Sequence, residues 1–427
     1  MRFRVVVLAL AASFAASSAT VSSNVTFFKD ALPVLQNKCQ ECHRAGEVAP
    51  MSFTTYDEVR PWAKAIKTAV VTKKMPPWFA DPHVGKFSND RSLSQAEIDT
   101  LVAWVDGGAK EGNAKDAPKP REYTIGWQIG TPDQVLELPT PIEVPASGVV
   151  DYTYVVMPLH FTEDHWVKMA EVRPDQRSVI HHVLAFVRDP GSHWLEDAKP
   201  GVPYIPQAAG KGGDGGGLPG ELLVGYAPGL QPQISNPGEA KLLKAGSDIV
   251  LQLHYTPNGK AVADQTKIGL IYSKEPPERR VMSMMAANFF LKIPAGNPNY
   301  EVHSRLTLPL DVKLVNLLPH MHLRGKDFEF KAVYPTGETQ VLLSVPHYDF
   351  SWQLMYITTQ EIPLPKNTRI ECTAHFDNSA NNPANPDPTK VVRWGDQTFE
   401  EMMVGFFDVS FPANMDPAKL AQQNNSE

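Results

Sequence analysis

Asp248-Ile249-Val250-Leu251-Gln252-Leu253-His254-Tyr255 decides how most of this chain is read. The run is short, apolar and β-branched, which is the habit of a strand and not of a helix. Similar runs recur at Val149–Leu159, Ser178–Val187, Val312–Leu318 and Phe328–Tyr334, with turn residues between them at Asn258-Gly259 and Pro335-Thr336-Gly337. That succession predicts antiparallel β-sandwiches from about residue 122 to 412. The stretch is too long for one sandwich, and Pro276-Pro277 breaks the pattern, so it divides into 125–275 and 279–412. With 42% hydrophobic and 20% charged residues the chain can build real cores, and its 38 prolines and 28 glycines, crowded after residue 110, suit strands and turns.

Upstream the period is helical. Ser94-Gln95-Ala96-Glu97 is a capping box, followed by Ile98, Leu101, Val102 and Val105 at helix spacing until Gly107-Gly108. Val59, Trp62, Ala63, Ile66 and Val70 predict a second helix that begins close to Pro61. Before both lies Cys39-Gln40-Glu41-Cys42-His43, the C-x-x-C-H attachment sequence of a c-type haem. On one helical turn the two thiols can bond the two vinyl groups, and His43 follows where the iron is. A zinc site would need a second cysteine pair, and Cys372, the third cysteine, stands alone. A thioether is the expected opposite ligand. Met75, stiffened by Pro76-Pro77, is preferred over Met51. The segments 53–78 and 89–108 resemble the small cytochrome domains fused to bacterial oxidoreductases, which makes 24–115 an all-α cytochrome c domain and 116–124 a linker.

Met1-Arg2-Phe3-Arg4, the apolar residues 5–16 and Ser17-Ser18-Ala19 form a secretion signal over 1–19, placing the mature protein in the periplasm or outside the cell. The formal charge of −7 argues against nucleic acid as a partner. Lys211–Gly220, glycine-rich, reads as a surface loop, 378–388 as another loop with a polar tail at 413–427, and Cys372 as a buried free thiol.

The histidines gather in three apolar strands: His181-His182, His254 and His320-Met321-His322. Residues two apart in a strand share a face, so His320 and His322 can hold one metal. His181 and His182 should face opposite ways, and joint ligation needs either a bent backbone or different ring nitrogens. Imidazole alone suits copper, zinc, iron or nickel; a thioether from Glu401-Met402-Met403 tilts the choice to copper. His83, His160, His165, His193, His303, His347 and His375 are singletons for which hydrogen bonding is the default.

The order His-His, His-Tyr, His-x-His and Glu-Met over residues 145–412 resembles the copper type II, ascorbate-dependent monooxygenases, the family of peptidylglycine α-hydroxylating and dopamine β-monooxygenases. The resemblance implies two jelly-roll domains and two copper ions. His181, His182 and His254 would hold the electron-transfer copper, and His320, His322 and Met402 the copper that handles O2, with Met403 the alternative thioether. It implies insertion of oxygen into a C–H bond of an organic substrate, with electrons from an ascorbate-like reductant or a redox protein. Leu318 and Phe406 stand where amidating members carry the Arg and Tyr that clamp a peptide carboxylate, so a glycine-extended peptide is not the expected substrate. The expectation is therefore an exported monooxygenase with one covalent haem c and two coppers, the haem relaying electrons to copper. The alternative is a haem and copper electron-transfer or copper-binding protein that oxidises no organic substrate.

Overall fold

Ser94 opens the helix Gln95–Asp106 as its sequence requires: its hydroxyl accepts from the Glu97 N–H at 3.3 Å, and the Glu97 carboxylate accepts from the Ser94 N–H at 2.7 Å. In this computed structural model, which describes residues 24–124, 126–206 and 220–415, an equivalent box at Thr55 and Glu58 opens the helix Tyr56–Val59. The secretion leader, nearly all of the glycine-rich loop and the tail from 416 onward lie outside the described residues. Among the described residues no helix is long and apolar enough to cross a membrane.

Pro61 lies near a helix start, as expected, but the start is divided. The helical stretch starts before it, at Tyr56, and passes through a 3-10 turn, Arg60–Trp62, before Ala63–Val71. The tighter turn shifts the phase of the apolar stripe. Trp62 is consequently 42% exposed, while Trp104, from the other helix, is fully buried 5.9 Å from the Phe27 ring. Phe27, Leu35, Val59, Ile66, Leu101 and Trp104 centre this small helical core. The expected linker is not free chain. Arg121 donates to the Gln36 carbonyl, the Tyr123 hydroxyl to Gln40 Oε1 at 3.0 Å, and the Arg44 guanidinium lies 4.3 Å over the Tyr123 ring.

The rest of the chain is β-sandwich. One four-stranded sheet carries Thr153–Pro158, Asp248–Tyr255, Ile180–Arg188 and Glu221–Tyr226; another carries Tyr300–Thr307, Arg369–Phe376, Gly325–Val333 and Thr339–Val345. Each packs on one half of a nine-stranded sheet, and each of the two layers encloses its own apolar core. Among the described strands, pairing is antiparallel except at the centre of the large sheet. There Arg279–Ala287 runs parallel to Glu239–Leu243 through two register pairs, Arg279 with Glu239 and Arg280 with Ala240. The sheet is therefore continuous across the proline break at 276–277, which the sequence pattern did not anticipate.

Alternation fixes what each strand offers on its other side. Leu251, Leu253 and Tyr255 enter the first core, so His254 faces outward; Met321 and Met403 enter the second core, so their neighbours His320, His322 and Met402 do not. The two outward faces meet.

Candidate metal centre

His181 and His182 reach the same side by a backbone bend. Ile180 pairs with Tyr255 while His182 pairs with His254, so one extra residue, His181, is inserted opposite that step. A β-bulge of this kind re-aims a side chain. It brings the two Nδ1 atoms to 3.1 Å from each other, and the His254 ring to 4.7 Å from that of His181 and 5.1 Å from that of His182. Among the described residues this triad is the one group of three or more His, Cys, Asp or Glu side chains whose ligand atoms all lie within 4.8 Å. The triad can hold a metal ion.

His320 and His322 close on the same region, ring centroids 5.3 Å apart, and His320 stands 6.4 Å from His182. The two sets were expected as separate pockets; here they abut, and five imidazoles form one cluster between the sandwiches. Tyr152 stacks on His254 at 4.3 Å, and Phe350 stacks on His181 at 4.3 Å.

Burial sets the chemistry of these rings. Four of the five are no more than 7% exposed. Desolvation, followed by mutual repulsion, depresses His181 to about 4 and His254 to about 3, and holds His182 and His322 well below the ordinary imidazole value. His320 is lowered by burial as well, with Gln353 opposing the shift. Neutral imidazoles are electron-pair donors, which a cation needs. Nε2 of His181, His182 and His322 and Nδ1 of His254 are buried without a partner, and buried polar atoms are seldom left so. The opposite nitrogens are held. Gln353 Oε1 lies 2.9 Å from His320 Nδ1, the Glu400 carbonyl 3.2 Å from His322 Nδ1, and Thr398 Oγ1 3.2 Å from His254 Nε2. The two acceptor oxygens fix the tautomers of His320 and His322, and all three contacts turn the other nitrogen inward.

One loop supplies much of this support. From the second sandwich, residues 396–401 cross to the first: Asp396 accepts from the Tyr154 hydroxyl, Gln397 Oε1 from the Tyr152 N–H, and Thr398 meets His254. Buried Glu401 then accepts from the backbone N–H groups of His322 at 2.8 Å, Arg324 at 2.7 Å and Met402 at 3.2 Å. This ties the His320-Met321-His322 turn to the methionine segment. Burial raises the Glu401 carboxyl to about 7. Met403 is fully buried in the second core, while Met402 remains half-buried outside it. Sequence reasoning missed Tyr152, Phe350, Gln353 and Thr398; the aromatic density of Tyr348-Asp349-Phe350-Ser351-Trp352 was the one local signal.

In the helical region Cys39 and Cys42 are free thiols at the end of the helix Leu32–Lys38, and His43 donates its N–H to the Cys39 carbonyl at 3.0 Å, one helical turn as expected. Burial pushes the Cys39 thiol up to about 12. The His43 ring stacks on Phe53 at 4.2 Å, and its Nδ1 meets the Met51 carbonyl at 3.2 Å. Contact with Met75 is not among these; beyond Met75 the chain leads to Trp78, 4.8 Å from Tyr356 of the second sandwich. Cys372 is buried and unpaired. His303 and His375 share Glu301 on an outer sheet face, far from singletons in their contacts but outside the cluster.

No family model matches the chain, and no curated protein matches it. Among solved structures, one of infectious bursal disease virus, Gx strain, aligns over 70% of this chain and 76% of its own at 9% identity, with a TM-score of 0.20. The STIV MCP crystal structure aligns over 57% and 94% at 10% identity, with a TM-score of 0.21. At such scores neither bears on the fold or the chemistry here.

Proposed function

We propose that this chain is an exported haem- and copper-dependent monooxygenase that hydroxylates a C–H bond with O2, built as a cytochrome c domain followed by two jelly-roll sandwiches. The observation that carries the reading is the convergence of His181, His182 and His254 on one side of a bulged strand, with His320 and His322 beside them and buried ring nitrogens left unpartnered. His181, His182 and His254 would hold one copper; His320, His322 and Met402 the other. Cys39 and Cys42 would carry the haem, and His43 and Met75 would be the side chains that hold its iron. Met51, whose carbonyl already holds His43 Nδ1, belongs to the His43 side. When bound, haem supplies single electrons and copper supplies one-electron chemistry toward O2.

The chain's own residues prepare that chemistry. Gln353 Oε1 and the Glu400 carbonyl accept from the Nδ1 atoms of His320 and His322, Thr398 orients His254, Tyr152 and Phe350 exclude water by stacking, and Glu401 holds the His322 turn against the Met402 segment. Leu318 and Phe406 face each other as a cross-strand pair, so an apolar substrate fits this surface better than a carboxylate.

One observation favours the second reading, a haem and copper electron carrier without an organic substrate: His182 and His322 are 2% and 1% exposed, which leaves little room beside them. Metal analysis with oxygen uptake separates the two. About two coppers per chain with product formed in step with O2 consumed supports the monooxygenase. Copper and haem without coupled uptake, across a panel of apolar substrates, overturns it in favour of the carrier, and zinc excludes both.

A further inference from the structure

The helical region meets the first sandwich by the face that carries the cysteines. Cys42 lines a cleft whose far wall is Tyr226, Gly225 and Arg177. Arg177 bridges the cleft to Glu47, which also pairs with Arg44 at 3.0 Å, and these ion-paired side chains are each less than a fifth exposed. Arg91 adds a hydrogen bond to the Gly229 carbonyl at 2.7 Å.

Both sandwich partners lead directly to the histidine triad. Arg177 begins the 3-10 turn Arg177–Val179, which runs straight into Ile180 and the bulged His181. Tyr226 ends the neighbouring strand, directly opposite Val183, the residue after His182. From Val183 to His181 is about 7 Å along a strand. The Arg177 guanidinium lies 6.0 Å from the Tyr226 ring, so the two elements close the cleft together.

We infer that Tyr226 and the Arg177–Glu47 pair form the electron-entry junction between a haem on Cys42 and a metal held by His181, His182 and His254. The inference rests on the cofactors proposed above, though not on any substrate. The step moves one electron: ferrous haem becomes ferric and Cu(II) at the triad becomes Cu(I), with no proton or bond exchanged. A shared chain keeps donor and acceptor at high effective concentration, and the junction fixes their geometry.

The test uses the full chain carrying haem and Cu(II), free of O2, with less than one electron per chain delivered by photoreduction. Haem absorbance then reports reoxidation while the Cu(II) resonance signal disappears. Wild-type reoxidation is expected to be independent of protein concentration. Tyr226→Leu should slow it about tenfold, and Tyr226→Phe, which keeps the ring, should not. Arg177→Glu, which sets two carboxylates face to face, should slow it as well, and Glu47→Arg in the same chain should recover most of the loss, by the logic of a double-mutant cycle. Unchanged rates in both Tyr226→Leu and Arg177→Glu, or a rate that rises with protein concentration, overturn the junction. A chain whose optical spectrum before the flash lacks covalent haem overturns the cofactor reading itself, and the junction with it.

Discussion

Lys241→Met should destabilise the joined sheets. The ladder that joins the two sandwiches has only two register pairs, and the Lys241 side chain takes over where it stops. Its ammonium donates to the Leu222 carbonyl at 2.7 Å and to Ser283 Oγ at 2.8 Å, and lies 3.2 Å from the Asp408 carboxylate, with side-chain exposures of 3% and 5% for the pair. Methionine fills the same space without the charge and leaves Asp408 as an unpaired buried carboxylate. Breaking a buried pair from one side costs about 3–5 kcal/mol. Asn316 Nδ2 at 3.0 Å and the Ser283 hydroxyl still donate to Asp408, which places the cost near the lower end, about 3 kcal/mol. For a β region of this size that is roughly 6–12 °C in melting temperature. Calorimetry and urea denaturation of the metal-free protein measure it. Adding Asp408→Asn removes the stranded charge and should return about 2 kcal/mol. The reasoning is refuted if Lys241→Met stays within about 0.5 kcal/mol of wild type, or if Asp408→Asn lowers stability further.

Three other outcomes are expected. Gln353→Leu frees the His320 ring to turn and should weaken metal binding at the His320–His322 pair about 10–100-fold, read by titration against a competing chelator; an unchanged constant would remove Gln353 from the site. Met402→Leu should lower Cu(I) affinity, whereas Met403→Leu, a core exchange of similar volume, should cost less than about 1.5 kcal/mol and leave Cu(I) affinity alone; the reverse pattern would make Met403 the thioether. With Cys39 and Cys42 both changed to alanine, haem should be extracted by acidified organic solvent, while in the natural chain it stays with the protein; haem retention in the double variant would count against covalent attachment at these thiols.

What the sequence disclosed was local. Strand positions followed from short apolar runs, and Asp248–Tyr255 was delimited residue for residue. The Ser94 box and the Cys39–His43 turn need no partner beyond their own segment, so they too were legible. A shared side for His320 and His322 was expected from a period of two, although the strand ends at His320 and His322 lies just beyond it. The His181–His182 problem was visible, but its solution was not: the bulge exists only in the register between Ile180–Arg188 and Asp248–Tyr255, which neither strand encodes alone. Trp62 lies out of the core because a 3-10 turn at Pro61 shifts the helical phase, and Trp104, on the other helix, fills a core position that the Ile98, Leu101, Val102 and Val105 spacing did not name. The joining ladder, the packed residues 119–123 and the contacts of residues 396–401 are all long-range, and periodicity carries no information about them.

These long-range contacts explain why the site belongs to neither sandwich. The triad stands on the first, the His320–His322 pair on the second, and the triad draws support across the gap: His254 from Thr398, His181 from Phe350. Five desolvated rings, four of them with a buried unpartnered nitrogen, cost free energy in the metal-free chain. That cost must be met by the contacts holding the two faces together, among them the Lys241–Asp408 pair at the sheet junction. A cation at the rings would repay it directly, and because a ligand that binds only the assembled state raises stability by mass action, metal binding and closure of the two sandwiches are coupled in this fold. It follows that loosening the junction should weaken metal binding even though Lys241 is no ligand.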